Sequence, residues 1–242
     1  AVVPICASGF GKVITSTRMP ATVISSSMHR LHDLLAGVAN HRFPPIDGLV
    51  EVLAPMHGDH HGVVEFTGHS VVLTDLDPGE LIARGADGFG GASHPDVLRW
   101  LAGDGGWIGT HDAVLVARGT DGGGALVETD AHDAHPRVRR SREHRREVRV
   151  LADETGLVTV GRGLVGRTEL LVERFADIDG RGSGRRLIVD GLASVEVGEL
   201  VWAQVAPGNA ASLRAFLSCG FVPVGAETLL RRAGTVIVDA SS

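Results

Sequence analysis

The sequence predicts an α/β fold in which helices pack against a mixed sheet. Three observations carry this. From about residue 149 onward, short apolar runs alternate with segments of helical spacing in the order β-β-β-α-β-α-β. Both helices of that series follow directly on a strand through a Gly-rich or Pro-Gly turn. The chain has 242 residues, 43% hydrophobic and 21% charged, which is enough to bury the core of one large domain or two small ones.

Composition also excludes function classes. No apolar run approaches the roughly 18 residues needed to span a bilayer. Residues 1 to 27 carry Lys12 and Arg18 inside the segment, so they lack the basic start and compact apolar centre of a secretory signal. A cytoplasmic protein is expected. Cys6 and Cys219 lie far apart and outside any CxxC pair, which argues against a disulfide scaffold or zinc ribbon. The net charge of -6 argues against general nucleic-acid binding.

Element by element, residues 1 to 27 show no periodicity and read as an N-terminal extension. Met28 then opens a helical segment in which Leu31, Leu34, Leu35 and Val38 recur on one face. Residues 28 to 130 form an N-terminal α/β region that completes or precedes the fold of the residues after it. Within it, residues 71 to 73 read as a strand. Asp77-Pro78-Gly79-Glu80 gives a helix start with an acceptor at the cap and Pro in the first turn. Pro95 opens a second helix containing Val97, Leu98, Trp100 and Leu101. Residues 107–108 and 113–116 read as two strands joined through His111 and Asp112. Residues 119 to 136 are rich in Gly, Asp and His and read as a loop. The arginine-rich run 137 to 149 is interleaved with Glu143 and Glu147, spaced for helical pairing, and reads as a solvated helix face or loop. Residues 131 to 242 form the core that carries the chemistry.

Its informative segment is residues 169 to 192. An apolar strand runs into Gly180-Arg181-Gly182-Ser183-Gly184, and a helix begins with Arg185 and Arg186, burying Leu187, Ile188, Leu192 and Val195. Glycines let backbone approach a ligand, and a helix start presents N–H groups with partial positive charge. The arrangement suits a pyrophosphate. A plain strand-to-helix turn is the bland alternative. A dinucleotide-binding turn is the other, although GxGxG is not GxGxxG. Downstream, a strand ends at Val205, Pro207-Gly208 turns the chain, and Asn209 caps a helix whose buried face is Leu213, Phe216 and Leu217. Gly220 ends it and Phe221 opens a strand.

Together these two segments resemble the acetyl-CoA motif and the following motif of the GCN5-related N-acetyltransferase (GNAT) superfamily. That loop reads Gln/Arg-x-x-Gly-x-Gly/Ala. Here Gly182 and Gly184 match, and Asp179 stands at the leading position. In the second motif Asn209, Ser212, Gly220 and Phe221 match. Close resemblance covers about residues 147 to 232.

The resemblance implies a mixed, mostly antiparallel sheet whose central parallel strands splay apart, flanked by helices. It implies acetyl-CoA as acyl donor, bound by Val172, Arg174, Gly180, Arg181, Gly182, Ser183, Gly184, Arg185, Asn209 and Ser212. It implies no metal and no membrane, and a small-molecule or protein amine as acceptor, with homodimerisation left open. The amine would attack the thioester directly, with the oxyanion held by backbone N–H near residues 172 to 174.

The catalytic residues stay unknown. The position often holding a Tyr acid is Phe216, and the chain has 0 tyrosines. Positions that often supply a base align with Thr168 and Leu170, while Glu169 and Glu173 fall on the opposite strand face. Asp112, His94 and His111 are candidates from the N-terminal part. The cluster His57-Gly58-Asp59-His60-His61 has metal-ligand residue types but no partner ligand, and reads as a loop. Cys219 reads as a small packed residue. Two functions follow from this pattern: an N-acyltransferase, or a catalytically weak acyl-CoA-binding regulatory module.

Overall fold

The computed structural model describes residues 13–15, 29–55, 60–122, 124–175 and 182–233. In chain order the elements are β1 (Val13–Thr15), α1 (Arg30–Val38), β2 (Val50–Leu53), β3 (His61–Phe66), β4 (His69–Leu73), α2 (Pro78–Ala83), α3 (Pro95–Ala102) and β5 (Trp107–Arg118). They continue with β6 (Val127–Glu128), α4 (Pro136–His144), β7 (Arg146–Asp153), β8 (Gly156–Arg162), a 3-10 turn (Leu164–Gly166), β9 (Thr168–Arg174), α5 (Ser183–Ala193), β10 (Leu200–Val205), α6 (Ala210–Ser218) and β11 (Val222–Arg231). Two compact units result. Among described residues the first holds 13–15, 43–55, 60–110 and 227–233, and the second holds 29–42, 111–122, 124–175 and 182–226.

The division differs from the one expected at residue 131. Residues 113–118 pair antiparallel with β10 from Ala113↔Val205 to Arg118↔Leu200, so part of the N-terminal region completes the second unit's sheet. The helix at residues 30–38 also belongs there, while the chain from residue 227 returns to the first unit. The extension is not wholly separate either. Its residues 13–15 pair parallel with β2, Val13 opposite Val50. The remainder of residues 1 to 27 lies outside the described residues.

In the first unit the strand order is β1-β2-β4-β3, with β11 next to β3. A tight turn at Thr67-Gly68 joins β3 to β4. Gly68 has φ +69° there, and a Cβ would sit 2.4 Å from Ile46 Cγ2, so only glycine fits. Asp77 caps α2 as the sequence indicates, its carboxylate accepting from Glu80 N at 2.9 Å. Val50, Val63, Val72, Leu81, Val97, Leu101 and Leu230 form the core.

In the second unit the order is β6-β7-β8-β9-β10-β5. Pairs β6–β7, β7–β8, β8–β9 and β10–β5 are antiparallel, and β10–β9 is parallel. Alternation along the strands sends Val158, Val160, Leu170, Val201, Ala203 and Val205 to one face. There they meet Leu187, Ile188 and Leu192 of α5 and Phe216 of α6. Leu217, expected on the buried face, is 45% exposed, because Phe216 and Leu213 already fill the contact. The arginine-rich run splits into α4 and the start of β7. Its arginines reach acids outside the run: Arg137 to Glu173, Arg142 to Asp133 and Arg149 to Glu128. The segments read as two strands at 107–108 and 113–116 are one strand, β5, because His111 and Asp112 continue its extended path.

Candidate functional site

The second unit's sheet has a gap at its centre. β9 and β10 run parallel, and their pairing covers Thr168↔Val201 and Glu169↔Trp202, then ends. Their outer edges stay fully used: β9 pairs with β8 from Arg162↔Thr168 to Gly156↔Arg174, and β10 pairs with β5 along its whole length. From Leu170 and Ala203 onward the two facing edges therefore present backbone N–H and C=O groups to each other across an opening. Such groups are strong donors and acceptors that need partners when shielded from water. Val172 and Arg174 lie on the β9 side of this opening.

The N-terminus of α5 lies just beyond β9 in sequence. Its cap residue is Gly182, at φ +98°, and no side chain caps the helix. The first i→i−4 bond is Arg186 N to Gly182 O, at 3.0 Å. The N–H groups of Ser183, Gly184 and Arg185 thus precede the helical ladder, where an anion is favoured. A Cβ on Gly184 would find only Arg174, with Cδ at 3.4 Å, which sets the Arg174 side chain beside this first turn. Gly180 and Arg181 lie outside the described residues. The parts that are described fit a pyrophosphate: an uncapped helix start of eleven residues, two glycines and neighbouring Arg174 and Arg185.

Asn209 does what a cap residue should. Its Oδ1 accepts from Ser212 N at 3.1 Å, and replacing such a cap by Ala costs ~1 kcal/mol. Phe216 is 7% exposed and meets Phe221 edge to face, with ring centroids 4.9 Å apart. The position that could hold a phenol is thus spent on packing. Cys219 is half-buried at the end of α6, with Sγ 3.6 Å from Arg185 O.

The opposite face of β9 holds a charged cluster. Glu169 is 4% exposed and lies between two arginines: Arg167 Nε donates to Oε1 at 2.7 Å, and Arg145 Nε donates to Oε2 at 2.6 Å. Burial alone would raise its pKa, but the two guanidinium groups outweigh it and hold the carboxyl below the usual range. Arg145 also donates through Nη2 to Gln204 Oε1 at 3.0 Å. Arg167 stands over Trp202, 5.6 Å from its ring centroid. Gly163 makes room for this cluster, since a Cβ there would lie 2.1 Å from Glu169 Cδ. Glu173, further along the strand, is held by Arg137 at 2.9 Å.

The parted parallel pair followed by an uncapped helix is the arrangement that the GNAT resemblance implies. No family model matches the chain, and no curated protein does. Solved structures do match. Two of them are described as GNAT acetyltransferases. One, described as a GNAT-family acetyltransferase from Novosphingobium aromaticivorans, is 16% identical with a TM-score of 0.38, over 55% of this chain and 69% of that one. Another, a GCN5-related N-acetyltransferase from Kribbella flavida, is 15% identical with a TM-score of 0.34, over 54% of this chain and 61% of its own.

The residues weighed as acid or base from the sequence have other partners. Thr168 receives a hydrogen bond from Arg162 and donates one to Glu199, while Leu170 is in the core. His94 caps α3, its Nδ1 accepting from Asp96 N at 3.3 Å, and belongs to the first unit. His111 and Asp112 are part of β5, exposed and half-buried respectively. Of the His-rich cluster, residues 57–59 lie outside the described residues, and His61 is a buried residue of β3. Among the described residues no group of three His, Cys, Asp or Glu side chains is placed to hold a metal, and no helix is long and apolar enough to cross a membrane. Sequence reasoning missed Arg145, Arg167 and Gln204. Alternation did put Glu169 on their face, but Arg145 lies 24 positions from Glu169 and 59 from Gln204, so no local pattern joins them.

Proposed function

We propose that the second unit binds acyl-CoA and transfers its acyl group to an amine. The observation that carries this reading is the β9–β10 pair that joins only at Thr168↔Val201 and Glu169↔Trp202. An extended chain with alternating amides, such as pantetheine, matches open strand edges of this kind. A pyrophosphate at its far end would meet the first turn of α5, beside Arg174 and Arg185. The acetyl group is the natural acyl cargo by resemblance. The protein's own residues orient the donor and exclude water through the Leu170, Val172, Ala203 and Phe216 side of the gap.

The reaction balances without a covalent enzyme intermediate. The amine lone pair forms a C–N bond to the thioester carbonyl carbon. The carbonyl oxygen takes up negative charge, which backbone N–H groups near residues 172 to 174 would hold. The C–S bond then breaks, the thiolate leaves with the electron pair, and the proton lost by nitrogen ends on sulfur by way of water. Glu169 is a poor base because its two arginines lower its proton affinity and both of its oxygens already accept their hydrogen bonds. Positioning supplies the catalysis this design offers.

A second reading, an acyl-CoA-binding module with weak turnover, is favoured by one observation: Glu169 and Phe216 are both committed to structural contacts. Calorimetric titration with CoA, followed by thiol release from acetyl-CoA across a panel of amines, separates the readings. CoA binding with turnover supports the transferase, and binding without turnover supports the module. Absence of CoA binding overturns both.

A further inference from the structure

We propose that Gln204 recognises the acceptor, donating a hydrogen bond from its side-chain amide to a carbonyl oxygen adjacent to the acceptor amine; this rests on the acyl-transfer reading above. Gln204 sits in β10 between Ala203 and Val205, both of which face α5 and α6. Alternation therefore turns Gln204 to the other face, together with Trp202. The last recorded pair between the strands is Trp202↔Glu169. Carried two residues further, that register sets Gln204 level with Leu171, one residue before Val172. This is the vertex of the gap, on the face away from the helix that would hold the pyrophosphate.

The amide is fixed in orientation. Its Oε1 accepts from Arg145 Nη2 at 3.0 Å, and Arg145 is itself held by Glu169 at 2.6 Å. Arginine has no acceptor, so the oxygen must face it and the nitrogen must face away. That Nε2 is buried and has no hydrogen-bond partner. Folds rarely keep a buried donor unpaired unless something completes it. Here a rigid chain of Glu169, Arg145 and Gln204 holds one such donor at the place where donor and acceptor substrates would meet. A carboxamide nitrogen has no lone pair available for taking a proton from the amine, so its role is recognition. A donor in this place selects an acceptor carrying an oxygen close to its nitrogen, as an α-amino amide does. An amine without that oxygen leaves the donor unpaired, and sites of this kind discriminate strongly.

The test uses the full chain, acetyl-CoA and two acceptors, glycinamide and propylamine. In Gln204→Met, kcat/KM for glycinamide should fall at least ~10-fold while that for propylamine changes less than ~2-fold. CoA affinity should stay unchanged. Comparing each amine with itself across variants removes the difference in their basicity. If Gln204→Met does not fold, Gln204→Glu keeps the oxygen facing Arg145 and carries the same comparison. Equal losses on both amines, or no loss on either, would overturn the role of Gln204 and leave acyl transfer standing. Failure of the unmodified protein to bind CoA would remove the acyl-transfer reading and this assignment with it.

Discussion

Arg145 Nε lies 2.6 Å from Glu169 Oε2, and the two side chains are 11% and 5% exposed. Breaking a buried pair by removing one partner's charge costs about 3–5 kcal/mol, because the remaining charges stay desolvated. Glu169→Gln should therefore lower the melting temperature of the second unit at neutral pH. Its pH dependence has a definite sign. The folded-state pKa is lowered, so the pair's contribution is complete above the unfolded value of about 4.3 and is lost as pH falls through the folded value. Thermal melts in acid should show a limb in the wild type that flattens in Glu169→Gln.

Gly184 has room for a side chain on the protein side, since Arg174 Cδ at 3.4 Å can give way. Gly184→Val should fold with a melting temperature near the wild type, yet lose CoA affinity by ~10-fold or more, because the branched side chain would occupy the space of the anion. Titration calorimetry checks both halves. Unchanged affinity in the folded variant would remove the 180–185 turn from the site. Gly182 is a worse probe, because its φ of +98° makes any side chain strained.

Phe216→Tyr tests whether the last helix faces the sulfur. The resemblance alone leads one to expect faster turnover from a restored phenol. The edge-to-face contact with Phe221 leads to a different expectation. A buried hydroxyl without a partner costs ~1–3 kcal/mol, so the variant should melt lower and turn over no faster. A higher kcat with unchanged CoA affinity would show that the ring edge reaches the thiolate.

In the first unit, His69 is buried between Glu51 and Asp47. The Glu51 carboxylate, 3.9 Å from Nε2, attracts the imidazolium, and Asp47 accepts from Nδ1 at 3.0 Å. Together they outweigh burial and raise the pKa of His69 above its ordinary 6.5. A raised value means that the stabilisation is complete below about pH 6.5 and is lost as pH rises through the folded pKa. His69→Gln should make the melting temperature of this unit less dependent on pH across that window. NMR titration of His69 should give a midpoint above that of an exposed histidine.

Much of the second unit was legible because its signals are local. The cap at Asn209, the Gly-Phe stop at 220–221 and the apolar face of α5 each fit within a dozen residues, and the structure has all three. The strand β5 was half legible. His111 and Asp112 interrupt the apolar pattern, but strand pairing, not polarity, decides whether the backbone stays extended there. β2 and β3 were not read as strands, since β2 is only 4 residues long and β3 begins inside a His-rich stretch. The cluster of Arg145, Glu169 and Gln204 has no local signature. Its members come from three segments, and only the pairing of β7, β8, β9 and β10 brings them together.

Gly163 is the quiet member of that group. Its missing side chain is the volume into which the Glu169 carboxylate fits, 2.1 Å from where a Cβ would be. One methyl group there would push on the carboxylate, the carboxylate on Arg145, and Arg145 on the Gln204 oxygen to which it donates. If Gln204 selects the acceptor as proposed, a change at Gly163 would reach that selectivity through three side chains in series. Variation among relatives of this protein at position 163 should accordingly travel with variation at 145 and 204, and an exchange at one of the three alone should be tolerated least.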